Sequence, residues 1–180
     1  DDFQNKSLQN IQWKNDSSSF SFTRKNPDTG LVDVHEYSID SGSTTLLVSG
    51  VSLQYRGKAI DVSQIRWTKN RDYLLISGKK NVTWDNVDEA PYYVYSTVSN
   101  KLWPLANNNP GLRNVSLSPG GNRVGWVLNN NIYISDLKSG DSRAVTNDGG
   151  ENIFNGIFDY GSRAFGISDA WHWSPDGKKL

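Results

Sequence analysis

The sequence predicts an all-β fold, a partial β-propeller of four-stranded antiparallel blades, and three observations carry that expectation. An apolar residue entering a polar turn recurs at Trp13-Lys-Asn-Asp, Trp67-Thr-Lys-Asn, Leu117-Ser-Pro-Gly and Trp173-Ser-Pro-Asp, at spacings of 54, 50 and 56 residues. Such spacings suit a four-stranded blade with its loops. A second marker follows in the same order three times, a strand ending in Ser plus a residue that tolerates positive φ: Ser41-Gly42, Ser99-Asn100 and Ser139-Gly140. The stretches between these turns alternate with period two and are rich in β-branched and aromatic residues, and no window sustains a helical period. A β-sandwich would also give short strands, but not two markers recurring in a fixed order.

Taken in order, the units run over residues 1–50, 51–110, 111–150 and 151–180, the last incomplete. The first is marked by the turn after Trp13 and by Ser41-Gly42. The second opens at Trp67, carries the alternating strand Pro91-Tyr-Tyr-Val-Tyr-Ser96 and closes on Ser99-Asn100. In the third, Pro119 pre-sets φ at the first turn position after Leu117, and Gly120-Gly121 supplies the permissive positions. Its strand Asn131-Ile-Tyr-Ile-Ser-Asp136 leads to Ser139-Gly140. The fourth repeats the device with Pro175 and Asp176-Gly177, and the chain stops at Leu180, where the next strand should begin. About three blades and the start of a fourth would form an arc with uncovered apolar flanks, so residues beyond both ends are expected, and the segment alone is expected to be marginal.

Composition narrows the function. Nineteen basic residues balance nineteen acidic ones among 180, which excludes the basic footprint of a nucleic-acid binder. No apolar run is long enough to span a bilayer. The chain contains no Met, so Asp1 is not an initiator position and any signal or anchor is expected upstream of it. The lack of cysteine excludes disulfides and Cys-based metal sites. Four Asn-x-Ser/Thr sequons, at Asn5, Asn15, Asn81 and Asn114, make these glycosylation candidates and favour a secreted or membrane-anchored protein with its propeller in an extracellular or lumenal space.

Catalytic motifs are absent: there is no Gly-x-Ser-x-Gly elbow, no phosphate loop and no Walker sequence, and His35 and His172 are the only histidines. No catalytic residue, metal site or cofactor is expected in the chain. His172 reads as a strand residue facing away from Trp171 and Trp173. Asp85, Asp88 and Glu89 read as solvated charge on a blade loop. Asp40, Asp136 and Asp141 read as turn residues, and Trp13, Trp67 and Trp173 as core packing.

At Asn155-Gly-Ile-Phe-Asp159 and Ala170-Trp-His-Trp-Ser-Pro-Asp-Gly177, the sequence resembles the N-terminal propeller of dipeptidyl-peptidase IV-like serine proteases of the prolyl oligopeptidase superfamily. The resemblance is specific over residues 112–180 and weaker, though collinear, over 1–111. It implies an eight-bladed propeller capping an α/β-hydrolase domain that lies outside this chain and carries Ser, Asp and His. The function it implies is removal of N-terminal dipeptides of the Xaa-Pro type, with this chain gating or positioning the peptide. The family's acidic pair for the substrate amino terminus would fall around Gly161, Ser162, Arg163 and Ala164, where no carboxylate stands. A family Gln-Trp-Arg segment is matched by Thr83-Trp84-Asp85, which keeps only the tryptophan. Asn155, Gly156 and Asp159 match and are expected to shape the loop. The alternative is a non-catalytic member whose propeller serves protein interaction. Expected partners are a peptide substrate, the remaining blades and hydrolase domain, and, as one candidate assembly, a homodimer, with nucleic acid excluded.

Overall fold

A computed structural model of the chain describes residues 8–82, 88–158 and 170–180. Among them, three four-stranded antiparallel sheets follow one another along the chain. The first consists of β1 (Gln9–Trp13), β2 (Ser19–Lys25), β3 (Val32–Ser38) and β4 (Thr44–Val48), paired in chain order. A small hairpin, β5 (Gln54–Tyr55) and β6 (Lys58–Ala59), leads into the second sheet. That sheet contains β7 (Gln64–Trp67) and β8 (Tyr73–Ser77), then β11 (Tyr92–Ser96) and β12 (Lys101–Pro104). Between β8 and β11 a separate hairpin is inserted, made of β9 (Asn81–Val82) and β10 (Asp88–Glu89). The third sheet is β13 (Arg113–Leu117), β14 (Arg123–Leu128), β15 (Asn131–Asp136) and β16 (Ser142–Ala144). This all-β succession of four-stranded sheets is the architecture the repeats predict.

The turn repeat has a common geometry. The residue after each marker donates its N–H to the carbonyl five residues on: Lys14 to Ser19 at 2.9 Å, Thr68 to Tyr73 at 3.0 Å, Ser118 to Arg123 at 2.9 Å and Ser174 to Lys179 at 2.9 Å. Closing so short a loop needs a left-handed residue, found at Ser17, Arg71, Gly121 and Gly177 with φ of 58°, 60°, 68° and 68°. In three turns an acidic or amide side chain braces the loop by accepting the N–H two residues later, Asp16 from Ser18, Asn70 from Asp72 and Asp176 from Lys178. Hydrogen bonds from Ser18 and from Ser174 hold the carboxyls of Asp16 and Asp176 below the usual carboxylate range. The second marker is equally regular, with Gly42, Asn100 and Gly140 at φ 62°, 54° and 78° between the third and fourth strands of each sheet.

Packing lies between the sheets. The central strands β8 and β11 are buried on both faces, so successive residues serve different cores. Leu74, Ile76, Tyr93 and Tyr95 join Val34 and Val48 of the first sheet, with Leu53 and Ile60 flanking the β5–β6 hairpin. Leu75 and Val94 point the other way, to Val115, Val124, Trp126 and Leu137 around the third sheet. A third cluster joins Val127 to Ile157 and Trp171, with Ile132 and Trp173 against it.

Polar stitches accompany these cores. The Gln12 amide docks on β7, accepting from Trp67 N–H at 3.1 Å and donating to the Ile65 carbonyl. Trp67 Nε1 donates to Ser21 Oγ at 2.9 Å, and Trp173 Nε1 reaches the Ser116 carbonyl at 3.3 Å. Arg71 pairs with Glu36 across the first two sheets.

Two expectations need correction. Trp13 is 58% exposed rather than part of a core. It rests on Phe20 at 5.2 Å, on the face of the first sheet turned away from the second. Residues 170–173 are not in a strand, since no strand among the described residues pairs with them, yet the alternation holds: Trp171 and Trp173 contact each other and His172 is exposed.

Gly125 is required by this packing. A Cβ there would stand 2.6 Å from Trp171 Cη2 and 3.3 Å from Trp173 Cζ2. Gly125→Ala is expected to destabilise the fold by about 1–3 kcal/mol through overpacking, read as a lowered thermal midpoint with quenching of tryptophan fluorescence changed. On the first sheet, His35 stacks on Phe22 at 5.5 Å, and burial, assisted by the Arg24 charge, holds its imidazole below the usual value. A depressed folded value means that the neutral form is favoured on folding. The stability this contributes is present above the unfolded pKa of about 6.5 and is lost as pH falls through the folded value. Thermal midpoints are therefore expected to decline on acidification below about pH 6.5, and His35→Phe to flatten that decline.

Candidate functional site

Where β10, β13 and the β14–β15 turn converge, the chain forms a cleft of about 460 Å³. Its charged wall comes from the inserted hairpin. β9 and β10 pair through Asn81 and Glu89 and through Val82 and Asp88, and Lys80 holds Asp88 at 2.7 Å. Ala90 N–H reaches the Leu112 carbonyl at 3.2 Å, which sets β10 beside the entry to β13. Across that junction Arg113 donates through Nε to Glu89 Oε1 at 2.7 Å, with Nη2 also at 2.7 Å from the same oxygen. The side chains retain 19% and 27% of their exposure, so the pair is half-buried rather than solvated loop charge. This corrects the expectation for Glu89. Asp88 is likewise paired and in a strand, while Asp85 lies outside the described residues.

The floor is built on asparagines. Asn129 and Asn130 form a two-residue turn between β14 and β15, at φ 49° and 59°, which matches the right-handed twist of the flanking strands. Asn109 Oδ1 accepts the Gly111 N–H at 2.9 Å. Phe154, Ile157, Val127 and Leu128 add apolar lining.

Segment 148–158 is tied over this turn by several bonds. Gly149 N–H donates to Asn131 Oδ1 at 2.9 Å, Asn130 Nδ2 to the Gly150 carbonyl at 2.9 Å and Asn155 N–H to the Asn130 carbonyl at 3.0 Å. A Cβ on Gly149 would lie 2.2 Å from the Asn130 carbonyl oxygen, so only glycine permits this approach.

The site residues expected from sequence fall in several places. Asn155 bonds Asp148 through its side chain at 2.9 Å. Gly156, at φ 75°, accepts from Asn114 Nδ2 at 2.9 Å and from Ala170 N–H at 3.3 Å. Asp159 and Gly161 to Ala164 lie outside the described residues, as do Asn5 and Trp84. Asn15 and Asn81 are exposed. Asn114, half-buried at φ 50°, is the left-handed residue of a β-bulge in β13, the counterpart of Asn10 at φ 55° in β1. Among the described residues no group of three or more His, Asp or Glu side chains could hold a metal ion.

Sequence reasoning missed Arg113. Its partner is 24 positions away in a different sheet, and no local pattern marks the pair. The described lining residues include Glu89 and Arg113 and no Ser or His.

Comparison with known proteins identifies what this arrangement is similar to. Residues 68–180 match the profile of the dipeptidyl peptidase IV N-terminal region. Dipeptidyl aminopeptidase B of Saccharomyces cerevisiae is 31% identical over 147 residues, covering 78% of this chain and 17% of its own length. A dipeptidyl aminopeptidase of Schizosaccharomyces pombe is 30% identical over 139 residues, 74% of this chain and 17% of its own. The chain thus spans about a sixth of the length of these relatives. The crystal structure of Porphyromonas gingivalis dipeptidyl peptidase 4 superposes with a TM-score of 0.77 at 23% identity, over 94% of this chain and 24% of that one, and shares the fold.

Proposed function

Since the chain belongs to the dipeptidyl peptidase IV N-terminal region family, with residues 68–180 matched, we propose that it is the substrate-positioning propeller segment of a serine exopeptidase. The full protein would remove N-terminal dipeptides of the Xaa-Pro type, with Ser, Asp and His supplied by an α/β-hydrolase domain. The family match carries this reading, supported by relatives named for dipeptidyl aminopeptidase activity. The cleft lined by Glu89, Arg113 and Phe154 supports a positioning role, since it offers both charged and apolar side chains. Holding a peptide in register before a separate catalytic group can supply much of a rate enhancement through orientation alone.

A second reading, a non-catalytic propeller used for protein interaction, draws support from Gly161-Ser162-Arg163-Ala164, which offers no carboxylate to a substrate amine. One experiment separates the two. The full-length protein, given a dipeptidyl-proline amide with an unblocked amine and its N-acetyl counterpart, is expected to cleave the first and not the second. Equal cleavage of both would remove amine recognition from the proposal, and turnover of neither would favour the interaction module.

We also propose a secreted or membrane-anchored setting, for which the exposure of Asn15 and Asn81 in their sequons is the supporting observation. Expressed through a eukaryotic secretory pathway, Asn15 and Asn81 are expected to carry glycan and Asn114 to remain bare. Its amide nitrogen is committed to the Gly156 carbonyl. Peptide mapping after enzymatic deglycosylation checks this, and a glycan on Asn114 would contradict it.

A further inference from the structure

We propose that a second cleft, where the β15–β16 turn of the third sheet meets β12 of the second, binds a saccharide carrying a sulfate or phosphate ester. Lys101 and Lys138 take the oxyanion, and Tyr73 and Trp103 receive the sugar ring. This cleft has a volume of about 390 Å³ and shares no lining residue with the one at Glu89 and Arg113. It is therefore independent of the peptidase reading.

The repeats show that the charge is not a requirement of the turn. Aligned on the serine of the second marker, the residue before it is Asp40, Val98 and Lys138, and the residue two places after it is Ser43, Lys101 and Asp141. Of these positions only Lys101 and Lys138 are basic, and both line this cleft. Among the described residues neither lysine is ion-paired. The carboxylate of the same turn, Asp136, instead accepts the N–H groups of Lys138 and Ser139 at 2.9 and 3.0 Å. Two like charges lining one cleft repel, and an anion between them relieves that repulsion. Hydroxyls add to the donor set. Ser96 Oγ accepts the Ser99 N–H at 3.2 Å and Ser139 Oγ accepts the Asp141 N–H at 3.1 Å, which leaves each hydroxyl proton to be donated. Donors arriving from two sheets match the divergent terminal oxygens of a sulfate or phosphate ester better than the coplanar pair of a carboxylate. Tyr73 and Trp103 meet edge to face at 6.2 Å and are half-buried, so the cleft also holds a fixed aromatic surface for the C–H face of a sugar ring.

The test is ligand-observed NMR titration of the full-length protein with galactose, galactose 6-sulfate and galactose 6-phosphate. At least one ester is expected to bind in preference to galactose, with an affinity that falls as salt is raised from about 0.05 to 0.5 M. Lys101→Ala and Lys138→Ala are each expected to weaken that ester about fivefold, the upper range for a partly exposed ion contact. Lys138→Glu, which puts a carboxylate into the cleft, is expected to weaken it further. Both lysines are exposed, so the thermal midpoint of each variant is expected to match the wild type and to separate lost binding from lost folding. Failure of both esters to bind, galactose binding as tightly as its esters, or wild-type affinity in Lys138→Glu overturns the proposal. Inorganic sulfate or phosphate binding as tightly as the sugar ester also overturns it, by assigning the cleft to a bare anion. N-acetyl-glutamyl-glutamate amide binding more tightly than either ester overturns it in favour of an acidic peptide.

Discussion

The structure depends on apolar packing between successive sheets, and the second sheet buries both faces of its central strands. In β8 and β11, Leu74, Ile76, Tyr93 and Tyr95 belong to one core while Leu75 and Val94 belong to the next. No sheet in such an arrangement has a core of its own. Stability is then approximately a sum of neighbour interfaces, and a residue's burial depends on whether a sheet stands beside it. Trp67 and Trp173 each send an indole N–H to the preceding sheet, and both are half-buried. Trp13 holds the same place in the first repeat, has no preceding sheet among the described residues, and is exposed.

The turns supply what packing cannot, a defined register. A left-handed residue at the fourth position after the marker recurs in all four units, and where Gly is absent the braced hydrogen bonds around it offset the steric cost. Asparagine performs much of this work elsewhere. Asn10 and Asn114 form bulges, Asn129 and Asn130 a hairpin turn and Asn100 the end of the second marker, all at positive φ. These asparagines thus serve backbone conformation, and in Asn114 a sequon coincides with a bulge.

The cleft is assembled from these devices. The bulge at Asn114 lets its side chain reach Gly156, the Asn129–Asn130 turn receives the segment 148–158, and the inserted β9–β10 hairpin carries Glu89 to Arg113. The lining residues thus sit on strand ends and turns between the sheets, where loops commonly carry function.

The all-β class, the order of the turns and the alternation of buried positions were legible in the sequence, because each is decided within a few residues by backbone sterics and local hydrogen bonds. Gly121 and Gly177 must permit positive φ, and Asp16, Asn70 and Asp176 brace turns through bonds to the second residue on. Around the cleft, the sequence marked only the segment through Asn155 and Gly156, which adjoins it. Glu89 read as loop charge and Arg113 drew no attention, because their meeting depends on a bridge between Ala90 and Leu112 that joins two sheets. Likewise the exposure of Trp13 and the need for glycine at 125 follow from which surface lies opposite. Local chemistry determined where the chain turns, and only tertiary packing decided which side chains face one another, since that depends on groups far apart in sequence being brought within a few ångströms.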